Sequence, residues 1–114
     1  MRPFSYSRAA DVSEAVREAS VSGVKFIAGG TNLIDLMKED VERPTRLVDI
    51  NQLPLNKIEE KPDGGLRLGA LVRNSDAAYD QRVAGRYPLL ASALLAGASP
   101  QLRNAATIGG NIMQ

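Results

Sequence analysis

Two glycine pairs stand beside residues that bind through hydroxyl and amide groups: Gly29-Gly30 followed by Thr31 and Asn32, and Gly109-Gly110 flanked by Thr107 and Asn111. Glycine has no Cβ and takes positive φ readily, so a ligand phosphate can approach such backbone closely and meet its N–H groups. The first pair follows the apolar run Phe26-Ile27-Ala28 and precedes Leu33, Ile34, Leu36 and Met37, a spacing that predicts a strand, a tight turn and a helix start. The first N–H groups of a helix lack intrahelical partners and carry partial positive charge, which favours an anion there. A plain tight turn accounts for Gly29-Gly30 equally well, and this stretch alone leaves both readings open. Thr31 and Asn32 read in the same way as helix caps, as ligand donors, or as both. The two pairs, taken together with their matching neighbours, favour a diphosphate held by backbone and side-chain donors from two sides. Neither the G-x-G-x-x-G fingerprint nor a P-loop is present.

The chemistry left to the side chains is limited. With no cysteine and no histidine among 114 residues, the chain offers no disulfide, thiol nucleophile or iron–sulfur ligand, no Ser-His catalysis and no ordinary zinc site. We therefore assign no catalytic residue and no metal ligand, and expect any redox chemistry to come from a bound cofactor. A net charge of +1, with acidic and basic residues interspersed, gives no footprint for nucleic acid. No apolar run reaches membrane-spanning length and the first residues lack the apolar core of a signal peptide, so the expected setting is the cytoplasm, with export alongside a partner as the other route.

The elements that position these residues follow from local pattern. Phe4 to Ser7 alternates as an edge strand. Asp11 and Glu14 have capping-box spacing for a helix with Val12, Ala15, Val16 and Ala19 on one face. Val24 to Ala28 and Arg46 to Ile50, joined through the helix of about Asn32 to Glu39, predict a βαβ unit with parallel neighbouring strands and a ligand beyond their carboxyl ends. The charge run Lys38 to Arg43 reads as a solvated helix end. Leu55 to Lys61 and Leu66 to Ala70 bracket Pro62-Asp63-Gly64-Gly65, a hairpin in which Gly64 and Gly65 serve the turn. Asn74 or Ser75 is expected to cap a short helix through Tyr79. Pro88 opens a helix expected to carry Leu89, Leu90, Ala93 and Leu94 inward before Gly97, and Ser99-Pro100 opens another.

At this point the residues resemble a family. KFIAGGTNLIDLMK at 25–38 and GASPQLRNAATIGGN at 97–111 are similar to the FAD-binding stretches of the flavin subunit of molybdenum-containing hydroxylases, the family of xanthine dehydrogenase, carbon monoxide dehydrogenase and bacterial aldehyde oxidoreductases. GALVRNSD at 69–76 fits the aldehyde oxidoreductase branch, and the resemblance runs the length of the chain. It implies an α+β fold, the vanillyl-alcohol-oxidase-type FAD-binding domain, with an N-terminal βαβ lobe over residues 1–53 and the start of a second lobe over 54–114. It implies FAD as cofactor. Ala28, Gly29, Gly30, Thr31, Asn32 and Leu33 would wrap the pyrophosphate and part of the ribityl chain, and Lys25, Phe26 and Ile27 would line the adjoining wall, with core strand the main role of Phe26 and Ile27. Thr107, Gly109, Gly110 and Asn111 would bind from the second side, with Gly97 close to the cofactor. Arg103 reads as a surface or interface residue.

The implied function is electron transfer: electrons from molybdenum and iron–sulfur centres on two partner subunits, one holding the clusters and one the molybdopterin, pass through FAD to an external acceptor. The family's flavin subunits continue beyond the position of Gln114, so the sequence corresponds to an N-terminal part and by itself is expected to bind FAD weakly or not at all. The alternatives are a related UDP-sugar enolpyruvyl reductase, which needs a catalytic acid and a substrate lobe that the sequence does not contain, and a cofactor-free lobe acting only in assembly.

Overall fold

A computed structural model describes residues 1–114, which divide into two compact units, Met1–Pro54 and Leu55–Gln114. The first unit is built on a three-stranded parallel sheet of β1 (Ser5–Arg8), β2 (Val24–Ile27) and β3 (Arg46–Asp49), in the order β1-β3-β2. β2 and β3 are parallel neighbours as expected, with Val24 opposite Arg46 and Ile27 opposite Asp49. β3 is the central strand, and Leu47 and Val48 are both buried, as a strand covered on both faces requires. Ala9, Ala15, Met37 and Leu53 complete this core.

Helices α1 (Val12–Ala19) and α2 (Leu33–Lys38) make the connections. Asp11 caps the helix as expected, accepting from the Glu14 N–H at 2.7 Å, while the return bond of the box lands one residue early, Glu14 Oε2 accepting from the Ala10 N–H at 3.3 Å. The inward face of α1 differs from expectation. Ala15 is buried and Ala19 half-buried, but Val12 and Val16 are exposed and Glu18 is half-buried in their stead. The reason is a polar partner: Glu18 accepts from Arg46 Nη2 of β3 at 2.8 Å and from Ser7 Oγ of β1 at 3.1 Å.

The second unit holds the antiparallel hairpin of β4 (Ile58–Glu60) and β5 (Leu66–Leu68), followed by α3 (Asn74–Tyr79), α4 (Gln81–Arg86), α5 (Pro88–Ala96), α6 (Pro100–Ala105) and α7 (Ile108–Ile112). Its core is Val72, Ala77, Ala78 and Leu94, with Ile58, Leu68, Leu95 and Ile108 packed against it. Asn74 does not cap α3. It is the first helical residue and is buried, after an uncapped Arg73. On α5, Ala91 and Leu94 face inward, whereas Leu89 is 83% exposed and Leu90 and Ala93 also point out. This helix is apolar on every side, so periodicity does not select a face. No helix is long and apolar enough to cross a membrane.

Candidate functional site

The Gly29-Gly30 turn leaves the carboxyl end of β2 and enters α2. Gly30 has φ +75°, and a Cβ there would lie 3.1 Å from Ile34 Cγ1, so the turn requires glycine at its second position. Gly29 is not in the left-handed region. Neither Thr31 nor Asn32 caps the helix: Asn32 occupies the N-cap position without a side-chain bond, and its side chain is exposed. The capping reading is thereby corrected. The N–H groups of Gly29, Gly30, Thr31, Asn32 and Leu33 donate to no acceptor within the chain, the first intrachain donor being the Ile34 N–H to the Gly30 carbonyl at 3.1 Å. Buried amides left so would be costly, but here Gly29 and Asn32 are exposed and Gly30, Thr31 and Leu33 half-buried, so one turn carries a run of donors without an internal acceptor.

The residues before the turn are also turned outward. Lys25 is exposed and pairs with Glu42 at 3.8 Å, Phe26 is 44% exposed, and Ile27 is half-buried. Phe26 is therefore not a core residue, contrary to expectation. β2 lies at the edge of the sheet, where a strand is less covered than the central β3.

What holds the turn was missed in the sequence. Asp49 and Asn51 lie at the carboxyl end of β3, next to β2. Asp49 is buried, and its carboxylate accepts from the Tyr6 hydroxyl on β1, from the Asn51 N–H at 2.8 Å and from Asn51 Nδ2 at 2.8 Å. Asn51 Nδ2 also donates to the Ala28 carbonyl at 2.9 Å. Burial by itself would raise the Asp49 pKa, but the Tyr6 hydroxyl, the two Asn51 donors and the Arg8 charge outweigh it and hold the carboxyl below its ordinary range. The rule that ligands lie beyond the carboxyl ends of parallel strands, applied to β3 as well as β2, points to these residues.

The second glycine pair resembles the first in sequence but not in structure. Thr107 is 2% exposed and caps α7, its Oγ1 accepting from the Gly110 N–H at 3.1 Å. The Ile108 N–H donates to the Val72 carbonyl at 2.9 Å, that of Gly109 to Ala70 at 2.8 Å, and that of Asn111 to Thr107 at 3.0 Å. These amides are committed internally, so backbone donors are not what this stretch offers. Gly109 serves close approach: a Cβ there would lie 2.9 Å from Ala70 Cβ and 3.0 Å from its carbonyl oxygen. Gly110 and Asn111 are exposed, as is Gly97 between α5 and α6.

A family model for the FAD binding domain in molybdopterin dehydrogenase matches residues 2–114. The chain belongs to this FAD-binding domain family. It is 56% identical over 115 residues to the FAD-binding subunit PaoB of an Escherichia coli aldehyde oxidoreductase, covering 100% of this chain and 36% of that protein. It is 36% identical to the carbon monoxide dehydrogenase medium chain of Hydrogenophaga pseudoflava, covering 96% and 39%. Among solved structures it superposes on carbon monoxide dehydrogenase from Hydrogenophaga pseudoflava with a TM-score of 0.91 at 38% identity, covering 97% of this chain and 39% of that one. Quinoline 2-oxidoreductase from Pseudomonas putida 86 gives 0.89 at 32%, covering 96% and 39%. The expected fold is the one found, and the relatives are oxidoreductase subunits. The chain spans less than two fifths of their length.

Within this FAD-binding domain, Arg103 is half-buried. Its Nη1 donates to the carbonyls of Gly97 at 3.0 Å and Ala98 at 2.9 Å, so it binds the backbone of its own α5–α6 connection. Arg73 is bridged to Thr107 and donates from Nη1 to the Ala105 carbonyl at 2.7 Å, which fixes the approach to α7.

Proposed function

We propose that the turn from Ala28 to Leu33 holds the pyrophosphate of FAD in an electron-transfer subunit of a molybdenum-containing hydroxylase. The observation that carries this reading is the run of N–H donors from Gly29 to Leu33 with no acceptor in the chain. A diphosphate is acceptor-rich and anionic, and charge-assisted bonds from backbone amides suit it. The Asn32 side chain, freed from capping, adds a donor at the same turn. Lys25, Phe26 and Ile27 supply the adjoining wall, Phe26 with an exposed ring.

A second contribution falls to Gly97, Thr107, Gly109, Gly110 and Asn111. With the amides of 108–111 committed, the part of this stretch is the exposed Asn111 side chain and the low profile of the glycines. The chemistry that FAD supplies when bound is redox, between molybdenum and iron–sulfur centres on two partner subunits and an external acceptor. The work of this chain's residues is to bind and orient it.

The test is the visible spectrum of the natively expressed protein, before and after heat release of bound ligand. Absorption near about 450 nm and released FAD are expected. A protein whose intact mass exceeds that of these 114 residues, and which is colourless and takes up no added FAD, overturns the reading.

A further inference from the structure

The connection between α5 and α6 holds an unusual backbone conformation. Gly97 is extended at φ −87° and ψ 142°, while Ala98 stands in the left-handed region at φ +56°. Ser99 then caps α6, its Oγ accepting from the Leu102 N–H at 3.2 Å. In the left-handed region a Cβ crowds the following carbonyl oxygen, so alanine holds this conformation where its surroundings impose it. It is therefore notable that glycine, which adopts it freely, occupies the adjacent position instead.

Arg103 supplies the imposing contact. One nitrogen, Nη1, donates to both the Gly97 and the Ala98 carbonyl, drawing two successive carbonyls toward a single cation. Nη1 carries two N–H groups, one for each acceptor. The N–H groups of Gly97, Ala98 and Ser99 donate to nothing within the chain, and Gly97 and Ala98 are exposed. The loop is thus fastened through its carbonyls while its exposed backbone remains available.

We propose that Arg103 is a positioning residue for FAD: it imposes the left-handed turn at Ala98, and the turn sets the Gly97 backbone against the cofactor. This rests on the assignment of Gly97 to the FAD site. The test compares the natively expressed protein with Arg103→Met, Ala98→Gly and the double variant, stripped of FAD and titrated with it by flavin fluorescence. Arg103→Met is expected to weaken FAD about tenfold, the scale of re-ordering one backbone residue on binding. Adding Ala98→Gly is expected to restore most of the affinity, because glycine takes the turn unaided. If Arg103→Met does not fold, Arg103→Lys, which keeps the charge without the guanidinium's reach, is read in the same way. Unchanged FAD affinity in the Arg103 variant, or a loss that the double variant does not recover, overturns the proposal. A wild-type protein that binds no FAD instead removes the cofactor assignment itself.

Discussion

Asn51 holds Ala28 in place. The side-chain amide that follows β3 donates to the carbonyl that begins the glycine turn after β2, at 2.9 Å, while it also donates to Asp49 at 2.8 Å. Asn51→Ala removes both bonds and leaves two acceptors short of a donor. It is expected to destabilise the fold by about 1–2 kcal/mol, read as a lower urea midpoint, and to weaken FAD binding by loosening the turn. A variant with wild-type stability would show that the turn is held by other contacts.

Asp49 adds a pH dependence with a definite sign. Its native pKa lies below the ordinary value, so its carboxylate contributes stability at neutral pH that is lost as pH falls through the native pKa. Asp49→Asn is expected to lower stability by about 2 kcal/mol at pH 7. The gap between the two proteins should narrow in urea titrations carried below about pH 4, where the unfolded carboxyl is already protonated. A gap that widened on acidification would contradict the sign.

The two residues of the first glycine pair are not equivalent. Gly30→Ala must place a Cβ at φ +75° and 3.1 Å from Ile34 Cγ1, and is expected to cost at least about 1–2 kcal/mol. Gly29→Ala, with no left-handed backbone to strain, is expected to cost less in stability while still crowding a ligand at the turn. Thermal midpoints of the two variants without FAD provide the comparison.

Asn32 and Thr107 separate capping from binding. Thr107→Ala deletes a buried cap that accepts from the Gly110 N–H and is expected to cost about 1 kcal/mol. Asn32→Ala deletes no cap bond, so stability should stay within about 0.5 kcal/mol while FAD affinity falls. Equal destabilisation by both would mean that Asn32 has a structural partner after all.

Gly109→Ala drives a Cβ to within 2.9 Å of Ala70 Cβ, so the Gly109 N–H bond to the Ala70 carbonyl must stretch or shift. A loss of about 1–3 kcal/mol is expected, larger than for Gly110→Ala, whose nearest neighbour is Thr107 Oγ1 at 3.0 Å. Denaturant titration of both variants checks the order.

What could be read from the sequence was what neighbouring residues determine among themselves. The Gly29-Gly30 turn between β2 and α2, the Pro62-Asp63-Gly64-Gly65 hairpin and the Ser99-Pro100 start of α6 all declare themselves within a few residues. The face of α1 did not, because Glu18 turns inward only when Arg46 and Ser7 arrive from other strands. The face of α5 did not, because its apolar residues run all round. The short α4 escaped notice although Asp80 caps it, accepting from the Arg82 N–H at 2.8 Å. At the candidate site, the donors of the first glycine pair were legible, but the commitment of the second pair depends on Ala70 and Val72, remote in sequence. Asp49 and Asn51 gain their meaning only from the register of β3 against β1 and β2.

The order β1-β3-β2 also governs when the first unit can form during synthesis. β1 and β2 do not pair with each other, and each has β3 as its only strand partner. A growing chain that has passed Gly30 but not reached Arg46 carries the glycine turn with no β3 to pair with. Both pairings of the sheet therefore need β3, a long-range closure of the kind that sets folding rates. Without β3 the β1 and β2 segments have no strand partner in this unit, and unpaired strand segments are open to mispairing.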